Sequence, residues 1–264
     1  LIQDYPNTLV GDKVLEYDYD LQSGKVNKFM YQRGAQDQFI HKYKYDVLNR
    51  LTRVQTSADA HIWDTDAEYF YYRHGPLARM ELGTDKVQGL DYIYTLQGWI
   101  KGVNGTTLSA ETDMGQDGYV SPNPLPANFT GPGYGEVHQQ IARDAFGYVL
   151  DYYKNDYTAI QGNNCLNGLS QQAGAVQPLY NGNISRMYTQ LQQLGNMGFN
   201  YRYDQLNRLM SQQGWQLNNG TMQLLQVDAY AMKLKYDADG NILTLDRNGA
   251  PSMPDMDKLK YNYY

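Results

Sequence analysis

Residues 43–54 read YKYDVLNRLTRV, and the same order of residue types returns twice further along the chain. The copies are YRYDQLNRL at 201–209 and LKYDADGNILTL at 234–245. Each has an aromatic residue or leucine, any residue, tyrosine, aspartate, three residues, arginine or asparagine, and then leucine or isoleucine. An internal repeat constrains the fold more strongly than any other feature of a sequence.

Weaker copies surround the three strong ones. YDYDLQSGKV at 17–26 has one extra loop residue, and YIYTLQGWIKGV at 92–103 has Thr95 where the aspartate belongs. FYYRHGPLARM at 70–80 is degenerate, and the final LKYNYY is cut short. Tyrosine supplies 26 of the 264 residues, and six Tyr-x-Tyr pairs occur. Within residues 17–103 and 201–264, successive copies lie roughly 22 to 33 residues apart, a period that fits one two-stranded unit plus a connection.

Each template position has a physical role in a β-hairpin. Tyr-x-Tyr has period two, so both rings lie on one face of a strand, a half-buried surface that suits tyrosine. The aspartate accepts hydrogen bonds from loop N–H groups, and glycine or asparagine tolerates positive φ. Leucine or isoleucine then begins the return strand. The template therefore predicts a hairpin with a loop of four or five residues.

The repeat-defining residues are Tyr17, Tyr19, Asp20, Tyr43, Tyr45, Asp46, Arg50, Leu51, Tyr92, Tyr94, Tyr201, Tyr203, Asp204, Arg208, Leu209, Tyr236, Asp237, Gly240, Asn241 and Ile242. Their tyrosine, leucine and isoleucine members, with Val54, Ile100 and Leu245, form the predicted core of the sheet. The predicted fold is all-β: consecutive antiparallel hairpins that form one curved, spiral sheet.

The repeat is absent between about residues 105 and 196. The predicted organisation is therefore a repeat segment at 1–104, an irregular insertion at 105–196 and a truncated repeat segment at 197–264. Within the insertion, the spacing of Val137, Ile141 and Ala145 predicts a short helix over 136–145. FGYVLDYY at 146–153 reads as a strand. LYNGNIS at 179–185 is a second candidate strand with a tight Asn181-Gly182 turn.

Composition excludes several classes of protein. No apolar run is long enough for a membrane-spanning helix. A formal net charge of −6 argues against a protein that binds a nucleic-acid backbone. The single cysteine, Cys165, excludes an internal disulfide framework. The chain begins without methionine or a signal-peptide pattern and stops inside a repeat unit, so we expect it to be an internal piece of a longer protein.

No pattern in the sequence predicts catalysis, a cofactor or a metal. The histidines His41, His61, His74 and His138 form no metal-binding spacing, and Cys165 has no neighbouring histidine. GPGYG at 131–135 is interpreted as a loop rather than a phosphate site.

Two acidic stretches are explained without an ion. Asp237-x-Asp239-x-Asn241 begins like a calcium loop, but the pattern fails at Ile242 and Asn248. The cluster Asp64, Asp66 and Glu68 is interpreted as a solvated face. Exposed tyrosines offer a surface for sugar stacking, but packing against neighbouring strands is favoured.

The template resembles the YD repeat of the Rhs (rearrangement hotspot) family, whose relatives include the TcB/TcC components of toxin complexes and the teneurins. The strong matches are 43–54, 201–209 and 234–245, with looser ones at 17–26 and 92–103. AEYFYYRHGPLARMELG, YIYTLQGWIKGVNG and LYNGNIS also look like segments of Rhs proteins from Bacteroidetes-type bacteria. Together these stretches cover most of the chain.

The resemblance implies a hollow β-cocoon that encloses a C-terminal toxic domain. The family's self-cleaving motif and a toxin domain have no match here, so we expect a non-catalytic wall segment of a secreted or cell-surface protein. Its expected partners are the rest of its own polypeptide, including the cargo, and secretion or injection machinery, without nucleic acid or a membrane span. Two alternatives stay open: a cell-surface adhesion or glycan-binding module, and a glycosidase-like enzyme.

Overall fold

The computed structural model describes residues 2–3, 12–109, 112–118, 138–159, 178–218, 221–225 and 228–263. Within these ranges every regular element is a β-strand, and no helix is present that would be long and apolar enough to cross a membrane. The strands are β1 Ile2–Gln3, β2 Lys13–Tyr19, β3 Val26–Tyr31, β4 Phe39–Tyr45, β5 Leu51–Ser57, β6 Asp64–Tyr71, β7 Leu77–Leu82, β8 Gln88–Tyr94, β9 Ile100–Val103, β10 Phe146–Asp151, β11 Arg186–Leu191, β12 Gly195–Tyr203, β13 Leu209–Asn218, β14 Thr221–Leu224, β15 Met232–Tyr236, β16 Ile242–Asn248 and β17 Asp255–Lys260.

The chain divides into two compact units. Unit 1 consists of Leu1–Asp91 and Asp117–Arg143, and unit 2 of Tyr92–Gln116 and Asp144–Tyr264. In unit 1, each strand from β1 to β7 pairs antiparallel with the next one in sequence, and β7 pairs with the first part of β8. The predicted all-β fold of consecutive antiparallel hairpins is therefore confirmed in this unit.

Unit 2 continues the same rule of pairing between sequence neighbours. The end of β8 pairs with β9, and antiparallel pairing then proceeds in order through β13. β13 pairs with both β14 and β15, after which β15, β16 and β17 follow in order. β10 and β11 lie inside the predicted insertion at 105–196, so the sheet runs through that segment. The division into three segments stays a prediction.

The two faces of the sheet differ in character. Directly opposed residues in antiparallel strands share a face, and Tyr43 is opposed to Val54 while Phe29 is opposed to both Tyr17 and His41. This face, which we name the tyrosine face, carries the repeat tyrosines in each unit. Residues at the alternate positions, including the one between the two tyrosines of each pair, lie on the opposite face.

The predicted core is only half-buried. Tyr17, Tyr19 and Ile100 are exposed, at 45%, 52% and 36% of their surface, and the other predicted core residues have intermediate burial. The prediction of a buried core was therefore wrong for these three. Side chains on a sheet face keep contact with solvent unless a second layer of structure covers that face.

The most deeply buried apolar cluster lies on the opposite face of unit 2. Ile93, Val149, Tyr188 and Trp215 form this cluster, and Tyr157 packs against it. They come from β8, β10, β11 and β13, and Trp215 has no exposed surface at all. The indole fits because its neighbour in register is glycine: a Cβ atom on Gly198 would lie 2.0 Å from Trp215 Cε2.

The helix predicted over 136–145 is wrong for residues 138–145. Residues 138–140 form a turn, in which the Ile141 N–H donates to the His138 carbonyl at 3.0 Å, and irregular chain follows. The Ala142 N–H donates to the Lys86 carbonyl at 3.3 Å, a partner in the β7–β8 turn rather than in its own helical turn. Ile141 is buried, whereas Ala145 is exposed and Val137 lies outside the described residues, so the spacing marks one buried position rather than the apolar face of a helix.

Candidate functional site

The aspartate of the template organises each hairpin loop. Asp46 Oδ1 accepts the N–H groups of Leu48 and Arg50, both at 2.9 Å. Asp46 Oδ2 accepts Arg50 Nε at 2.7 Å, and the backbones of the two residues also bond, from the Asp46 N–H to the Arg50 carbonyl. Asn49 takes φ of +61°, the left-handed conformation that asparagine tolerates. One carboxylate therefore closes the loop through both backbone and side chain.

The second strong copy reproduces this geometry. Asp204 Oδ1 accepts the N–H groups of Leu206 and Arg208 at 2.9 Å, and Oδ2 accepts Arg208 Nε at 2.7 Å. Asn207 has φ of +62°. The recurrence of the same bonds at the same template positions shows that the local sequence determines the loop.

The third strong copy replaces arginine with asparagine. Asp237 accepts the Asn241 backbone N–H at 2.8 Å and its Nδ2 at 2.9 Å, and Gly240 takes φ of +92°. Both carboxylate oxygens of Asp237 therefore accept hydrogen bonds within the hairpin loop, as in the other strong copies of the repeat. In a calcium loop such oxygens ligate the ion instead. At Thr95 the hydroxyl takes the place of the carboxylate and accepts the Trp99 N–H at 3.2 Å.

These loop bonds favour the charged form of each aspartate. The N–H group of Arg50 is the main cause that lowers the pKa of Asp46 below its ordinary value, and the N–H group of Arg208 does the same to the pKa of Asp204. The pKa of Asp20 is lowered mainly by the Ser23 N–H group. The charged aspartate is thus part of the folded loop.

A second set of bonds joins each hairpin to the one before it. The hydroxyl of a tyrosine at or just after the end of one strand donates to the carbonyl of a residue at or just before the start of the preceding return strand; we name this bond the Tyr–carbonyl joint. It runs from Tyr45 to Val26 at 2.9 Å and from Tyr71 to Leu51 at 2.7 Å in unit 1. In unit 2 the joints are Tyr152 to Ile100 (2.8 Å), Tyr203 to Ile184 (2.9 Å), Tyr236 to Leu209 (2.8 Å) and Tyr263 to Ile242 (2.9 Å).

The template arginine reinforces the same joint from the other side. The Arg50 guanidinium lies 4.4 Å from the ring centre of Tyr71, the joint tyrosine of the next hairpin. Arg208 lies 4.8 Å from the ring of Tyr236, and its Nη1 donates to the Asp237 carbonyl at 3.1 Å. Each arginine therefore closes its own loop and contacts the following one. In the degenerate copy at 70–80, it is Tyr71 that occupies the joint position.

The joints also reveal a hairpin that the repeat search missed. Tyr152 makes its joint to Ile100 after β10, and Ile184 receives the next joint just before β11. Residues 152–185 therefore connect the paired ends of β10 and β11, and we name this connection the expanded loop. The signal was the GNI triplet at 182–184, which repeats the GNI at 240–242 and also has a glycine with positive φ, +87° at Gly182. The strand predicted over 179–185 is a turn at 180–182 instead, and β11 begins at Arg186.

A buried ion cluster lies at the base of this expanded loop. Lys101 Nζ contacts Asp151 Oδ1 at 2.5 Å and Asp156 Oδ1 at 2.7 Å, and Arg186 donates to Asp151 Oδ2 at 2.6 Å. All four side chains are buried. The Tyr152 N–H donates to Asp156 Oδ2 at 2.9 Å, so the cluster also fixes the backbone where the loop departs. Sequence reasoning missed the cluster, because its members lie on three strands and a loop.

A second buried cluster lies within unit 1. Arg79 donates to Glu81 at 3.0 Å and to Asp117 at 2.5 Å, and it also contacts Asp91. Lys86 Nζ lies 2.9 Å from Glu81. Arg79 therefore links Asp117 to β7 and β8.

The remaining candidates have ordinary surroundings. His41 lies among the rings of Phe29, Phe39 and Tyr43 on the tyrosine face, and His74 packs on Tyr72 with ring centres 5.2 Å apart. His138 lies 3.3 Å from Glu81. In the acidic cluster, Asp66 accepts a hydrogen bond from the Thr56 hydroxyl and Glu68 pairs with Arg53. Among the repeat tyrosines, Tyr17 stacks near Tyr19, and Tyr92 and Tyr94 are half-buried on β8. Cys165 and residues 131–135 lie outside the described residues.

One open hollow of about 340 Å³ is present on the described surface of unit 1. It is lined by Lys44, Thr52, Arg53, Glu68, Tyr69 and Phe70. Arg53 and Glu68 pair with each other inside it, so its charges are partly satisfied by the protein itself.

Comparison with known proteins gives weak likenesses. No protein-family model and no curated protein matches the sequence. Among solved structures, a chain of the TcdB2-TccC3-Cdc42 crystal structure aligns over 100% of this chain at 12% identity, with a TM-score of 0.35. A chain of the TcdB2-TccC3 crystal structure aligns over 96% at 12% identity, with a TM-score of 0.34. This chain spans only 13% of the length of either.

Proposed function

We propose that this chain is a wall segment of a shell that encloses a polypeptide cargo, with a toxic domain as the favoured cargo, and that it performs no chemistry itself. The observation that carries the proposal is the Tyr–carbonyl joint, which recurs in both units. A sheet assembled with one kind of joint extends by adding hairpins and needs no new contact at each step. The resemblance of the template to the YD repeat supports the same reading.

The proposal includes a location and partners. A wall of this kind belongs in a secreted or cell-surface protein of the Rhs type, and its partners are the rest of the same polypeptide and the machinery that exports or injects it. The connection between β10 and β11 is 34 residues long, from 152 to 185, and the joints that involve Tyr152 and Ile184 are present at its two ends. The wall therefore tolerates long additions at its hairpin tips.

Protease protection of the native protein that carries this segment tests the proposal. An enclosed cargo is expected to stay intact under trypsin while the shell is folded and to be digested once the shell is opened with denaturant. Cargo that is digested at the same rate in both conditions would overturn the proposal. A fragment of the cargo expressed without the shell is the control for its intrinsic sensitivity.

Adhesion or glycan binding is the second candidate, favoured by the exposed rings of β2 and β4. Tyr17, Tyr19 and Phe39 are exposed at 45%, 52% and 42% on one face. A glycan array probed with the wild type and with Tyr17→Ala/Phe39→Ala separates the candidates. Binding lost in a variant that stays folded supports adhesion, whereas a wall segment is expected to bind no glycan.

A further inference from the structure

Lysines gather on the face of unit 2 opposite the tyrosine face. The cross-strand register places residues of β15, β16 and β17 side by side in two rows. These rows are Lys233–Asp246–Lys258 and Lys235–Thr244–Lys260. Because directly opposed residues share a face, the four lysines stand together with one aspartate and one threonine between them.

Arg202 extends the first row across two more strands. It is opposed to Ser211 on β13, and Ser211 is opposed to Lys233. We name the group of Arg202, Lys233, Lys235, Lys258 and Lys260 the basic face. Five cations with Asp246 as the acid within the rows make this surface positive, although the whole chain carries −6.

Four of the five cations of the basic face have no ion pair within the part of the chain that the structure describes. Arg202, Lys233, Lys235 and Lys260 are exposed and make no hydrogen bond or ion pair there. Lys258 donates to Asn248 Oδ1 at 3.1 Å and lies 3.9 Å from Asp255. Like charges held on one rigid sheet repel each other, and an anionic partner would relieve that repulsion.

We propose that the basic face binds an extended, acidic segment of polypeptide. Lys233 and Lys235 are two residues apart on one strand, as are Lys258 and Lys260, which separates each pair by roughly 6.6 to 6.8 Å along the strand. Carboxylates on alternate residues of an extended peptide repeat at the same distance. The two same-strand pairs, Lys233 and Lys235 on β15 and Lys258 and Lys260 on β17, are separated by two strand spacings, roughly 9.5 Å, so one peptide lies between these pairs or along either.

A peptide fits this surface better than a nucleic acid does. A long polyanion would reach beyond the five cations to the acidic remainder of the chain, where it is repelled. A short segment with a few carboxylates matches the extent of the basic face. This inference is independent of the shell proposal, because an exposed basic face binds an acidic peptide whether or not a cargo is enclosed.

Fluorescence anisotropy with a labelled (Glu-Thr)5 peptide tests the inference on the full 264-residue chain at low ionic strength. The triple variant K233Q/K235Q/K260Q is expected to bind about tenfold more weakly, since it removes three exposed partners of modest individual strength. The matched control K25Q/R73Q/K154Q changes the charge equally at exposed sites elsewhere and is expected to stay within about twofold of the wild type. Added salt is expected to weaken wild-type binding.

Each result of this experiment either supports or overturns the proposal. Circular dichroism first establishes that both variants are folded. Selective loss in K233Q/K235Q/K260Q, with no binding of (Gln-Thr)5, supports the proposal. Equal loss in the two triple variants, no measurable binding of (Glu-Thr)5, or binding of (Gln-Thr)5 with equal affinity overturns it. Tighter binding of a ten-nucleotide oligothymidylate than of (Glu-Thr)5 would assign the face to nucleic acid and overturn the peptide assignment.

Discussion

Replacing Tyr45 with phenylalanine removes one Tyr–carbonyl joint and leaves the ring in place. The hydroxyl donates to the Val26 carbonyl at 2.9 Å and is partly buried. A net contribution of about 1 kcal/mol, within roughly 0.5 to 1.5 kcal/mol, is typical of such a bond. For a chain of this size, that loss corresponds to a fall in Tm of about 2 to 4 °C.

Tyr43 provides the matched control on the same strand. It lies two residues before Tyr45, is half-buried on the same face, and its hydroxyl has no hydrogen bond within the described residues. Tyr43→Phe is therefore expected to change the free energy of unfolding by no more than about 0.3 kcal/mol. The comparison isolates the hydroxyl bond, because both substitutions remove the same atom from neighbouring sites.

Urea unfolding followed by circular dichroism measures the loss, and hydrogen exchange of the peptides covering β3 and β4 places it in unit 1. Faster exchange in both strands is expected for Tyr45→Phe alone. The pair Tyr203→Phe and Tyr201→Phe repeats the experiment in unit 2, where the Tyr201 hydroxyl has only a 3.8 Å contact with Met187 Sδ. Equal losses within either pair would refute the role assigned to the joint.

Three further changes test other parts of the structure. Burial raises the pKa of Tyr152 to about 12, so the stability that the protonated hydroxyl contributes is complete below pH 10 and is lost as the pH rises toward 12. Over this range the urea midpoint is expected to fall less in Tyr152→Phe than in the wild type, and identical pH profiles would contradict this. Lys101→Ala breaks the buried ion cluster and is expected to lower the free energy of unfolding in urea by about 3 to 5 kcal/mol, against less than about 0.5 kcal/mol for the exposed Lys154→Ala. Similar losses in the two variants would disprove the stabilising role of the cluster. Gly198→Ala is expected to displace Trp215, to lower the free energy of unfolding by about 1 to 3 kcal/mol and to shift tryptophan emission to longer wavelength. An unchanged spectrum would show that the glycine is not needed for the packing of Trp215.

The sequence predicted the hairpins because their determinants are local. In the loop at Asp46, the carboxylate, the positive-φ Asn49 and the bracketing Arg50 lie within five residues. Such contacts are visible in a single stretch of sequence, and the same logic placed the loop at Asp204. The expanded loop escaped detection because its two halves, at Tyr152 and Ile184, are separated by far more chain than the template allows.

Burial and the ion clusters were not predictable in the same way. The exposed fraction of the Tyr17 side chain depends on which residues cover the tyrosine face. The residue pattern of a single strand does not encode that cover. Lys101 and Asp151 are 50 residues apart, and their contact follows from the register of β9 and β10. The apolar spacing around Ile141 was mistaken for a helix because three residues define a period poorly, and the Ala142 N–H bonds to the Lys86 carbonyl rather than within a helical turn.

Cryo-electron microscopy of the native protein that carries this segment is the direct test of the wall proposal. We expect the hairpins of each unit to belong to a wall held by Tyr–carbonyl bonds, at Tyr45 in unit 1 and at Tyr203 and Tyr236 in unit 2, with polypeptide density enclosed behind it. An open sheet with solvent on both faces and no enclosed chain would contradict the claim.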